Sequence, residues 1–230
     1  MTQDTAIGGP YQRFPETRHS AIRGLLDDDA NLRRQSYDIV IAAYWKPVYK
    51  YLRLRWKQSN EQAKDLTQAF FTAAMETDTL TRYDPARATF RTYLRTCLDS
   101  FLLNAWKHET RLKRIAQPDI AWPAQPPESI EEIFHREWVR SLFEMALADI
   151  RSRDLPFRVF EAYDLSDKDS RPSYNELAIL FGITPATVTN YLAAMRRDLR
   201  KSVLAKLREL TATDREFRSE ARALLGIEPS

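Results

Sequence analysis

Residues 83–114 read YDPARATFRTYLRTCLDSFLLNAWKHETRLKR, and this stretch decides the fold. Apolar residues recur at Phe90, Tyr93, Leu94, Cys97, Leu98, Phe101, Leu102, Ala105 and Trp106, the spacing that lines one side of a 3.6-period helix. That side is core. Arg91, Arg95, Ser100, Asn104, Lys107, Arg111, Lys113 and Arg114 fall on the other faces, an array of cations, amides and hydroxyls suited to phosphates and unpaired bases. A solvated basic face is the competing reading of the same residues. What lies on either side of the helix has to decide between them.

The chain of 230 residues is 43% hydrophobic, long enough to bury a real core as one large or two small domains. Only five glycines argue against a sheet-and-turn architecture, and the apolar residues recur mostly at helical spacing, so an all-α protein is expected. The formal charge of +3 is small for a nucleic-acid binder, but it is unevenly spread. Cys97 is the one cysteine, lies on an apolar face and reads as a small core residue in a reducing compartment. No apolar run of about 18 residues occurs, and no basic-then-apolar start marks a signal peptide. A cytoplasmic protein without a membrane contact is expected.

Working outward, residues 1–20 carry Gly8, Gly9, Pro10 and Pro15 without periodicity and read as a flexible leader. A first helix follows near Ala21 to Leu26. Asp27, Asp28 and Asp29 are placed to cap a helix beginning around Ala30, where carboxylates are favoured. From Tyr44 to Lys57 the chain crowds five basic residues among aromatic ones with no acid, and Pro47 is expected to start a new helix after a break. Glu61 to Glu76 is amphipathic. Between residues 115 and 129 stand Pro118, Pro123, Pro126 and Pro127, the composition of an extended linker between a domain over 21–114 and another over 130–210. In the second, Ile130 to Ile150 and Phe157 to Tyr163 read as helices. Ser173 to Phe181, Gly182, and a helix from Pro185 capped by Thr184 then form a helix-turn-helix. Residues 211–230 form a charged extension, read either as an inhibitory or partner-binding segment or as a short helix packed back on the second domain.

In this order the parts resemble a bacterial RNA polymerase sigma factor of the sigma-70 family, of the compact extracytoplasmic-function (ECF) type. The resemblance is carried by AKDLTQAFF at 63–71, by TRYDPARATF followed by FRTYLRTCLDSFLLNAWK, and by SYNELAILFGITPATVTNYL at 173–192. It implies two helical domains, a region 2-like bundle and a region 4-like helix-turn-helix. It also implies binding to core RNA polymerase through the beta-prime clamp helices and the beta flap, and binding to promoter DNA. An anti-sigma factor is a further partner such proteins often have. No cofactor, metal or catalytic residue is implied. Several positions depart from the family pattern: Ala69 stands where Glu is usual, Tyr93 for Trp, Ser100 for Asn, and Lys107 with His108 for paired arginines. In the recognition helix Thr189, Tyr191 and Ala194 replace Lys and Arg.

On this resemblance Asp65, Leu66, Gln68, Phe70 and Phe71 form the polymerase-docking ridge, an apolar strip with a polar rim. Arg91, Arg95, Ser100, Asn104, Lys107 and Arg111 form the minus ten surface. Asn104 is suited to a base edge, and Arg91 and Lys107 to phosphates. Val188, Leu192, Met195 and Leu199 recur at core spacing on the recognition helix, which turns Thr187, Asn190, Arg196 and Arg197 outward. With Thr189 and Arg200 these are the minus thirty-five candidates, the early residues meeting bases and the later ones the backbone.

Two other readings stay open. A stand-alone helix-turn-helix regulator explains residues 130–210 but leaves the helices at 63–71 and 83–114 without a role. A sigma-like protein with degenerate or partner-dependent promoter activity fits the departures above. An enzyme is not expected, since His19, His108 and His135 are scattered and no phosphate loop or nucleophile elbow occurs.

Overall fold

The computed structural model describes residues 20–113 and 130–226, with the side chains at 107–113, 130, 131 and 168 outside the description. The leader before Ser20 and the linker over 115–129 therefore lie outside the described residues. Those described are helical and contain no strand. In chain order the helices are α1 (Ala21–Gly24), α2 (Ala30–Arg55), α3 (Asn60–Glu76), α4 (Phe90–Lys113), α5 (Ile130–Ile150), α6 (Asp154–Asp164), α7 (Tyr174–Phe181), α8 (Pro185–Glu209) and α9 (Asp214–Leu225). The all-α class read from composition and spacing is what the chain adopts. No single helix among them is long and apolar enough to cross a membrane.

The helix starts follow local chemistry. Asp29 accepts the Asn31 N–H at 2.8 Å and opens α2, as the acidic cluster predicts. At α3 the Ser59 hydroxyl accepts from the Gln62 N–H while the Gln62 side chain accepts from the Ser59 N–H, and Ser173 and Glu176 repeat this reciprocal cap at α7. The Ser173 contacts hold the Glu176 carboxyl below its usual range. Gly182, at φ 65, ends α7 in the left-handed conformation, and α8 leaves at 99° to it.

Pro47 does not begin a helix. It lies buried inside the continuous α2, because the apolar stripe of Val40, Ala43, Tyr44, Val48, Tyr51 and Leu52 runs through it in phase. Burying that stripe outweighs the roughly 3 kcal/mol that an interior proline costs.

Two buried clusters result. The larger joins α1 to α4 with Phe134, Trp138, Leu142 and Ala146 of α5, Val203 and Leu207 of α8, and Phe217 and Ala221 of α9. The smaller gathers Ile150, α6, α7 and Val188, Leu192 and Met195 of α8. Thus α5 and α8 each run from one core into the other. Arg153–Asp198 at 3.2 Å and Lys206–Asp149 at 3.2 Å lace them along the rim.

Where α1 crosses α2, a Cβ on Gly24 would fall 2.1 Å from the Ser36 hydroxyl oxygen, which donates to the Leu32 carbonyl at 2.9 Å. Gly24→Ala should therefore cost about 1–3 kcal/mol by overpacking. Thermal denaturation should show the loss, and Ser36→Ala in the same chain should recover part of it.

Candidate functional site

The first surface is the outer face of α3. Asp65 and Gln68 are exposed and Leu66 half-buried, so these three present the expected polar-and-apolar edge. Phe70 and Phe71 do not. Each is 2% exposed, and together they pack with Trp45 and Phe101 inside the larger core. They are corrected from docking residues to core residues. The reason is geometric: Ala63, Thr67, Phe70, Phe71 and Ala74 share the buried face, whereas Asp65 and Gln68 lie on the other.

The second surface is α4, whose six candidates do not share one face. At about 100° per residue, Ser100, Asn104, Lys107 and Arg111 fall in one stripe, while Arg91 and Arg95 lie on nearly the opposite side. Ser100 and Asn104 are exposed. Ser100 donates to the Thr96 carbonyl at 2.9 Å, leaving its oxygen facing outward as an acceptor. Lys107 and Arg111 belong to α4 by backbone, with side chains outside the description. The start of the same stripe is occupied by Tyr93, whose hydroxyl donates to the Thr79 carbonyl at 2.7 Å and whose ring packs on Tyr83. Burial above all pushes the Tyr93 phenol up to about 12. Tyr93 is therefore a neutral structural residue, as its place on the apolar stripe predicts.

Arg91 is engaged elsewhere. Its guanidinium meets the Glu220 carboxylate at 3.1 Å and lies 4.6 Å from the centre of the Trp138 ring. Its side chain is 19% exposed, so in this arrangement it is not presented to a ligand, contrary to its place among the outward residues of the sequence pattern. Burial, then the Arg91 charge, holds the neighbouring His135 imidazole below its ordinary value. Arg95 is half-buried on the same side, near the Tyr51–Asp99 hydrogen bond of 2.6 Å. Burial and then that bond push the Tyr51 phenol well up, while the charges of Arg95 and Arg55 oppose the shift.

The third surface is the outer side of α8. Val188, Leu192 and Met195 are buried and Leu199 half-buried, as their spacing predicts. Thr189, Asn190, Arg197 and Arg200 are exposed, and Thr187 is half-buried through its contact with the Thr184 cap. Arg196 makes a two-pronged contact with Asp164 at 2.8 and 2.9 Å, the geometry that satisfies a guanidinium fork most fully. It braces α8 on α6 and is corrected from a backbone-positioning residue to a structural one in this arrangement. On α7, Ile179 and Leu180 stand 83% and 69% exposed.

Sequence reasoning missed Glu216 and Glu220. They are two acids one turn apart on the same side of α9 as Phe217 and Ala221, and acids placed within an apolar stripe were the available signal. Among the described residues no cluster of His, Cys, Asp or Glu could hold a metal ion.

No curated protein matches this chain. Residues 40–112 match the family described as Sigma-70 region 2. The matched span runs from the middle of α2 through α3 to the end of α4, so it takes in both the Asp65–Gln68 edge and the Ser100–Asn104 stripe, and it supports membership of the chain in the sigma-70 family.

Proposed function

We propose that this protein is a sigma factor of the ECF type, which binds core RNA polymerase and directs initiation at its own promoters from the cytoplasm. The observation that carries the reading is that the Sigma-70 region 2 match and the two exposed polar surfaces coincide. In this reading Asp65, Leu66 and Gln68 dock on the beta-prime clamp helices, a helix edge of mixed character against a partner helix pair. Ser100 and Asn104, with Lys107 and Arg111 further along, hold the opened minus ten strand. An amide reading a base edge and cations on the backbone supply specificity and position respectively.

The half from Ile130 to Glu209 serves as region 4. With α7 and α8 as a helix-turn-helix, Thr187, Thr189 and Asn190 meet the minus thirty-five bases, and Arg197 and Arg200 the phosphates. The exposed Ile179 and Leu180 give α7 an apolar contact for a polymerase surface, for which the beta flap is the candidate. Few cations lie at the start of α8, so upstream reading depends on polymerase to hold the domain on DNA. An anti-sigma factor would act by covering either polar surface.

The test is transcription of a genomic fragment pool by core polymerase supplied with this chain. Discrete transcripts are expected. Ser100→Ala with Asn104→Ala should reduce them about tenfold or more, as expected when one to two base or strand contacts of about 1–3 kcal/mol are lost. Polymerase that binds the chain yet produces no transcript would sink the promoter reading and favour a degenerate sigma. Absence of polymerase binding would sink the proposal as a whole.

A further inference from the structure

The helix α9 brings carboxylates to two cationic features of α4. Glu216 accepts the Phe90 N–H at 3.1 Å, one of the amides that the first turn of a helix leaves without an intrahelical acceptor, and the Tyr83 hydroxyl at 3.5 Å. Its other oxygen accepts the Ala212 N–H at 2.9 Å. One turn on, Glu220 pairs with Arg91 at 3.1 Å while being only 7% exposed. A helix amino end beside an arginine is an arrangement that attracts phosphate, because aligned peptide dipoles and a fixed positive charge act on the same spot. Here both partners of that arrangement are already met by acids of the same chain.

We propose that α9 is an acidic mask, with Glu216 and Glu220 standing in for backbone phosphates at the amino end of α4, so that Arg91 joins the strand-binding surface only when α9 is displaced. This rests on the strand-binding reading of α4 given above. The seat of α9 is small enough to open. Phe217 and Ala221 are its buried apolar anchors, with Leu224 and Leu225 half-buried, and Arg23 holds the preceding turn through the Ala212 carbonyl at 2.5 Å.

The experiment measures binding of a labelled single-stranded 20-nucleotide DNA to the full chain at low salt by fluorescence anisotropy. Glu216→Gln with Glu220→Gln should bind about tenfold more tightly, and its salt dependence should steepen by about one released ion. Adding Arg91→Gln should return affinity and slope to those of the native chain. The exposed Glu76→Gln, which also removes an acid, should change little. A gain that survives Arg91→Gln, or that Glu76→Gln reproduces, overturns the mask, since either means a general charge effect. Hydrogen exchange supplies the second readout. Bound oligonucleotide should speed exchange at Ala212 and along α9, and a strand that binds while α9 stays as protected as before also overturns the mask. In that case strand binding by α4 stands. Failure of every variant to bind the strand overturns the mask too, and the transcription assay then decides the sigma-factor reading independently.

Discussion

Trp138→Ala is expected to lose about 3–5 kcal/mol of stability, the range for removing a fully buried large aromatic side chain. For a chain of this size that lowers the melting temperature by about 10 °C or more, readable by circular dichroism or calorimetry. The effect is large because Trp138 holds three things at once. It is 2% exposed in the larger core, it anchors α5 among the helices of the amino-terminal half, and its ring faces the Arg91 guanidinium that ties α4 to α9. Alanine leaves a cavity that the neighbours cannot fill without moving α5, because interiors are packed near crystal density. Trp138→Phe should cost less, since a ring remains. A loss under about 1 kcal/mol for the alanine variant would mean that α5 does not seat there in solution.

Asp65→Ala with Gln68→Ala should act in the opposite way, leaving the fold intact and weakening binding to core polymerase by about tenfold to a hundredfold, the scale of one or two interface side chains. Both residues are exposed on α3, and surface changes of this kind usually shift stability by less than about 0.5 kcal/mol. Phe70→Ala and Phe71→Ala supply the contrast. Each should cost about 3–5 kcal/mol by emptying a core position, and any polymerase defect should follow from unfolding. Surface plasmon resonance on immobilised core enzyme, read beside a melting curve for each variant, separates the two classes. Unchanged polymerase affinity in the Asp65/Gln68 variant would remove this edge of α3 from the docking surface.

These contrasts show where the sequence was legible. Periodicity located α3, α4, α5 and the α7–α8 pair to within a few residues, and the chemistry of caps identified Asp29, Ser173 and Thr184, because these depend on residues close in the chain. Local rules failed at Pro47, where tertiary burial overrode the tendency of proline to break a helix. They also failed to separate Phe70 and Phe71 from Asp65 and Gln68, since a list of residues on one helix does not say which side its neighbours cover. Arg91 and Arg196 were missed for a different reason. Both looked like outward cations, and both are taken by acids distant in sequence, Glu220 and Asp164, which only the packed chain brings near. The extension after residue 210 was read as either a regulatory segment or a helix against the second domain. It packs instead into the larger core, alongside α4 and α5, because Phe217 and Ala221 complete the apolar surface there.

Because α5 crosses from one core to the other, it works as a ruler as well as a support. Ala146 belongs to the larger cluster and Ile150, one turn later, to the smaller. A residue inserted or deleted between them would rotate one set of anchors by about 100° and shift it by about 1.5 Å relative to the other. Neither core could then close without breaking the other. Length along this one turn is therefore constrained more tightly than side-chain identity, and natural variation there should take the form of apolar exchange, with insertions confined to the connections between helices.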